Sequence, residues 1–122
     1  MKLHLARSDN QNTFTGYGEG YVMVNAVRYE RSLVVLPDLP VGAWPVAGVE
    51  TLREEDFEFL AGLGAEIVLV GTGDRLRFLH PRLMQSLARA RVGVEVMDTR
   101  AACRTYNILV AEGRKVAAAL IL

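Results

Sequence analysis

A chain of 122 residues and 13.4 kDa fits one domain, and folding it should bury roughly two-thirds of the surface exposed when unfolded, so no covalent staple is required. Hydrophobic residues make up 51% and charged residues 23%, too apolar for disorder, yet no apolar run approaches the ~18 residues of a membrane helix. Fourteen bases cancel fourteen acids, which argues against a nonspecific nucleic-acid binder, since such proteins depend on a summed positive field.

The cancellation hides a segregation. From Val46 to Asp74 seven acids stand against Arg53 alone, and from Arg75 to Lys115 nine bases stand against Glu95, Asp98 and Glu112. Solvated helix faces are the plain reading, and a dipolar surface is the sharper one. The single cysteine, Cys103, excludes an intrachain disulfide and a cysteine-rich metal site.

In chain order, Met1 to Arg7 alternates polar and apolar residues and lacks the continuous apolar core of a secretion signal, so the expected compartment is the cytoplasm. Lys2–Ala6 reads as a strand. Gly16-Tyr17-Gly18-Glu19-Gly20 looks like a dinucleotide fingerprint, but it precedes the β-rich Tyr21-Val22-Met23-Val24 instead of opening a helix, so it reads as a glycine-rich turn. Tyr21–Val24 and Val27–Glu30 flank Asn25-Ala26 as a hairpin, and Ser32–Leu36 is a β-branched run halted by Pro37 and Pro40.

Thr51-Leu52-Arg53-Glu54 has the form of a capping box, with Phe57, Leu60 and Ala61 as the inner face of the helix it opens and Gly62 and Gly64 as its exit. A strand over Ile67–Val70 then meets the Gly71 turn. Pro81 suits a first helical position, Val92–Met97 a further strand, and Asp98 or Thr99 the cap of a helix whose Ala102, Cys103, Tyr106, Leu109 and Val110 share one face. Gly113 ends it, and Val116–Leu122, apolar without alternation, suits a strand covered on both faces. The expected fold is α/β: a single three-layer domain over residues 1–122, with a central mixed β-sheet, a β-rich N-terminal half and a βαβαβ-like C-terminal half.

Few residues suggest chemistry. Gly71-Thr72-Gly73 leaves the carboxyl end of a strand, where open α/β sheets place ligand crevices; its amides, with Arg75 or Arg77, make a candidate anion site for phosphate or carboxylate. Chain reversal demands the same glycines, and neither a third glycine in step nor a phosphate-loop Lys-Ser/Thr is present. Cys103 with His80 or His4 would make a nucleophile and base, but the thiol falls on the apolar face, His80 precedes a proline as a cap would, and His4 lies in the first strand. Trp44 suits an interface anchor or packing under a loop, and Glu54, Glu55, Asp56 and Glu58 suit a helix first turn. Arg100 and Arg104 are candidate partner contacts, while Asn107, bordering the apolar face, is placed to bond an adjacent loop. No metal ligand set or cofactor motif is legible. The reading therefore leans away from an enzyme.

Ala65 to Gly73, then Val92 to Thr99 running into Ala101–Val116 through Tyr106-Asn107 and Glu112-Gly113-Arg114, resembles a family of small single-domain proteins of bacteria and archaea that also includes mitochondrial complex I assembly factor 3 and the adipogenesis-associated domain protein of animals. The resemblance covers nearly the whole chain. It implies a compact three-layer fold with a mixed sheet and, from the mitochondrial member, a non-catalytic role in assembling respiratory complex I. Gly71, Thr72, Gly73, Tyr106 and Asn107 carry over as signature positions. The expected function is thus that of an interaction protein, an assembly factor for a respiratory or other membrane complex with subunits of that complex as partners. A small-ligand module or uncharacterised enzyme using the Gly71–Gly73 turn is the alternative, and a domain working through self-association is a third.

Overall fold

The computed structural model describes residues 11–122, so the strand expected over Lys2–Ala6, and His4 with it, lie outside the described residues. Two sheets organise the chain. Strands β1 (Phe14–Gly18), β2 (Tyr21–Val24) and β3 (Val27–Tyr29) form an antiparallel meander. Strands β4 (Leu33–Val35), β5 (Gly42–Ala43), β6 (Ile67–Gly71), β7 (Gly93–Met97) and β8 (Val116–Leu120) form the main sheet in the order β5-β4-β8-β6-β7. That sheet is mixed: β6 runs parallel to β7 and β8, and β4 antiparallel to β5 and β8.

Strand periodicity sorts the main sheet into two faces. Val116, Ala118 and Leu120 of β8 join Leu33, Val35 and Leu69 in one core, while Ala117, Ala119 and Ile121 join Val34, Val68 and Val70 in the other. Helices α1 (Glu54–Ala61) and α2 (Gln85–Arg89) cover the second face through Phe57, Leu60 and Leu87. Helix α3 (Thr99–Ala111) covers the first through Ala102, Cys103, Tyr106 and Val110, and the three-stranded sheet adds Phe14, Val22 and Val24 to the same core. Three layers result, as expected, with β8 buried throughout because both its faces are covered.

Local chemistry accounts for the joints. Asn25 and Ala26 both take positive φ (51° and 67°), the twist a two-residue hairpin needs, and Ala26 is held there by donating its N–H to Thr15 Oγ1 at 2.8 Å. Two expectations require correction. Gly16 to Gly18 belong to β1 and only Glu19-Gly20 turn; the missing side chain at Gly18 leaves room for the Tyr21 ring. Thr51 does not cap α1: its hydroxyl bonds back to the Gly48 carbonyl at 3.0 Å within a 3-10 turn (Val49–Thr51), and the helix is capped by Asp56, whose carboxylate accepts the Arg53 N–H at 2.9 Å. The segment after Pro81 likewise starts as a 3-10 turn (Pro81–Met84) before α2, with His80 Nδ1 accepting the Arg82 N–H at 3.1 Å.

Candidate functional site

Gly71 is the last residue of β6, not a free turn, and pairs with Met97 on one side and Leu120 on the other. A Cβ there would lie 2.8 Å from both Leu120 Cδ2 and Thr99 Oγ1, so glycine lets the start of α3 close onto the strand end. Thr99, buried, ties three segments together. Its hydroxyl donates to the Ile121 carbonyl at 2.7 Å and accepts the Gly73 N–H at 2.9 Å, while its own N–H donates to the Gly73 carbonyl at 2.9 Å. The Thr72 N–H donates to Met97 O at 2.9 Å, and Thr72 Oγ1 donates to Arg75 O at 2.7 Å and accepts the Arg77 N–H at 3.1 Å.

The amides of Thr72 and Gly73, considered above as anion donors, are therefore spent inside the bend. What remains beside it is a cleft of about 360 Å³ at the carboxyl ends of β6 and β7, lined by Tyr17, Tyr21, Gly73, Asp74, Arg77 and Arg100 among others. Its polar groups are mixed in sign. Arg77 Nη2 sits 2.9 Å from Glu50 Oε2; the Glu50 carboxyl is held below its ordinary range by a backbone hydrogen bond first and by the Arg77 guanidinium second. Arg100 is exposed at the start of α3 and enters no ion pair among the described residues. Arg75, also exposed, does not line the cleft.

The other candidates are placed elsewhere. Arg104 donates through Nη1 to the Tyr17 hydroxyl at 3.1 Å, bracing the cleft rim. Cys103 is buried, and burial pushes its thiol up to about 12, the opposite of what a nucleophile requires. Trp44 packs edge-on to Phe57 with ring centroids 6.1 Å apart and donates its indole N–H to Asp56 O at 3.4 Å, so it anchors the core beneath α1.

Tyr106 and Asn107 form a latch. The Tyr106 ring meets Phe14 edge-on at 5.0 Å and its hydroxyl donates to Asn12 O at 3.0 Å. Asn107 brackets the backbone of Phe14, accepting its N–H at 2.9 Å and donating to its carbonyl at 2.8 Å, as a neighbouring strand would. Tyr17, Tyr21, Glu50 and Thr99 had not been read as site residues. Only Thr99 left a signal in the sequence, as a candidate cap of the helix after Val92–Met97; its place at the bend follows from the pairing of Met97 with Gly71.

The model of the family described as protein of unknown function (DUF498/DUF598) matches residues 14–121. The chain belongs to that family. It is 42% identical over 90 residues to mouse NADH dehydrogenase (ubiquinone) 1 alpha subcomplex assembly factor 3, covering 72% of this chain and 48% of the mouse protein. The bovine protein of the same name is 38% identical over 107 residues, covering 86% of this chain and 58% of its own length, so the chain spans about half the length of these relatives. A crystal structure of a Bordetella parapertussis protein superposes with a TM-score of 0.87 at 46% identity, covering 91% of this chain and 95% of that one. The matched range of the DUF498/DUF598 family begins at Phe14, the residue that Tyr106 and Asn107 hold, and thus contains both the bend and the latch.

Proposed function

We propose that this DUF498/DUF598 protein is a non-catalytic interaction protein that acts from the cytoplasm in the assembly of a respiratory or other membrane complex, with subunits of that complex as its partners. One observation carries the reading: its identity of about 40% to proteins named as complex I assembly factor 3 extends across most of the chain. The side chains support it. Cys103 is sealed in the core under α3, and His80 Nδ1, which accepts the Arg82 N–H, is occupied in a cap, so among the described residues the candidate nucleophile and candidate base are both engaged structurally. No helix of the described residues is long and apolar enough to cross a membrane, so contact with a membrane complex would be made from its surface. Affinity purification of the tagged chain under native conditions should recover subunits of a respiratory or membrane complex. Recovery of the chain alone across several growth states would sink the proposal.

The cleft favours a second reading, a site for a small phosphate or carboxylate ligand held by Arg100 and Arg77 beside Gly73. It lies where open α/β sheets place their ligands. A stabilising metabolite in a thermal-shift panel, lost with Arg100→Ala, would establish it, because a ligand bound only to the folded state raises apparent stability. A flat panel would remove it.

A further inference from the structure

We propose that the loop from Arg75 to Arg82 docks this protein on an anionic lipid surface. After the bend the burial alternates: Leu76, Phe78 and His80 are exposed, while Arg77 is half-buried and Leu79 enters the core. Leu76 is 63% exposed and Phe78 80%, the two most exposed large apolar side chains among the described residues, and they stand two positions apart on one ridge. The Phe78 and His80 rings lie edge-on at 6.5 Å, which extends the ridge as an aromatic step.

Charge frames the ridge. Arg75 and Arg82 are exposed at its two ends and enter no ion pair among the described residues, and the sequence from Arg75 to Val94 holds five arginines and no acid. Asp74, the nearest acid in sequence, lines the cleft. Exposed apolar side chains flanked by exposed guanidinium groups match a bilayer interface, where Leu and Phe enter the acyl boundary and arginines meet headgroup phosphates. A bilayer accepts protruding side chains without a shaped pocket, whereas two copies meeting ridge to ridge would oppose arginine to arginine. Glu50 is paired with Arg77 at the cleft side of the loop, and Glu55 and Glu58 lie on neighbouring α1, so the footprint is the Leu76–Phe78 edge with Arg75 and Arg82 and not the whole helical layer.

The inference stands on the loop and is independent of the assembly reading, so the two fail separately. Sedimentation of the full chain with phosphatidylcholine vesicles, with and without one-third phosphatidylglycerol, tests it. Pelleting is expected with the anionic vesicles at low salt, and not with phosphatidylcholine alone. Phe78→Asp and the pair Arg75→Glu and Arg82→Glu should each reduce the bound fraction by about tenfold with the Tm unchanged, because these side chains are exposed. In Phe78→Trp the added indole should shift to the blue on anionic vesicles, a signal readable because the chain's only tryptophan, Trp44, is buried. Absence of pelleting, or pelleting that Phe78→Asp leaves intact, would overturn the proposal. So would Phe78→Asp abolishing a dimer in the absence of lipid, which would assign the ridge to a second copy.

Discussion

The two faces of the main sheet are covered by different means. Under α1 and α2 the covering is mostly packing: Phe57, Leu60, Leu87 and Trp44 fill the space, supplemented among the described residues by a long indole bond to Asp56 O at 3.4 Å and the Arg77–Glu50 pair at 2.9 Å. Under α3 the packing is supplemented by bonds that reach across about ninety residues of sequence, from Tyr106 to Asn12 and from Asn107 to Phe14. The difference has a cause. Helices can satisfy their own backbone, so α1 and α2 need only apolar contact, but β1 is an edge strand whose Phe14 N–H and carbonyl would otherwise lack a partner. The pair Tyr106-Asn107 therefore reports architecture: it fastens the small sheet to α3, the helix that covers the large one.

The comparison breaks most visibly at Tyr106. Its ring is fully buried against Phe14, so Tyr106→Ala should cost about 3–5 kcal/mol and lower the Tm by roughly ten degrees or more, whereas Tyr106→Phe keeps the packing and should cost about 1 kcal/mol for the lost bond. Urea and thermal unfolding separate the two. A small difference between the alanine and phenylalanine variants would mean that the hydroxyl, not the ring, holds the layers together.

Gly71→Ala should come next. The added methyl meets Leu120 Cδ2 and Thr99 Oγ1 at 2.8 Å and the Thr99 Cα at 3.0 Å, so α3 must move off the sheet, at about 1–3 kcal/mol. Unfolding in urea measures the loss. A variant as stable as the parent would mean that the approach of α3 to the strand end is not tight.

Asn107→Ala sharpens the contrast by leaving both Phe14 backbone groups without their partner, a loss of about 1–3 kcal/mol. Its distinguishing mark is locality. Hydrogen exchange should accelerate at Phe14 and its β2 partners while the amides of β6 and β8 stay protected, because the small sheet can loosen without opening the large one. Uniform acceleration across both sheets would show that the two layers open as one unit.

How much of this was legible in the sequence follows the same division. Periods of 2 and 3.6 placed the hairpin, the order of helices and strands from α1 onward, both faces of β8 and the buried face of α3, because each is encoded in residues a few positions apart, while β1 and the two-residue β5 were missed. Capping was less secure. Only Thr51 carried the capping-box pattern, and Asp56 stood among the acids expected in the first turn; Thr51 is drawn into the 3-10 turn by the Gly48 carbonyl, which leaves Asp56 to accept the Arg53 N–H. The site was least legible. The expectation of a bend with open amides missed Thr99 and Met97, which approach only when β7 is laid beside β6, and nothing local announces Tyr17 or Tyr21 at the cleft. Asn107 was expected to bond an adjacent loop; its partner is instead the backbone of Phe14 in strand β1, ninety-three residues away, a fact of topology.

The smallest effect at neutral pH becomes the most selective in alkali. Cys103 and Tyr106 both lie in the core under α3, and burial raises both: the thiol to about 12 from an ordinary 9.0, and the phenol, chiefly by burial and secondarily by the Asp38 carboxylate, well above its usual range. Each group stays protonated in the folded chain over a span where the unfolded chain has released its proton. The unfolded state then binds fewer protons, so stability must fall as pH rises, beginning near pH 9 for the thiol and about a unit higher for the phenol. Below pH 9 neither contributes a slope, and the thiol should resist alkylation in the folded chain while reacting freely in urea. Cys103→Ala should therefore flatten the first part of the alkaline decline in Tm, and Tyr106→Phe the later part. If the decline between pH 9 and 12 is the same in Cys103→Ala as in the parent chain, the thiol is hydrated in the folded state, and the covering of this face is looser than its bonds imply.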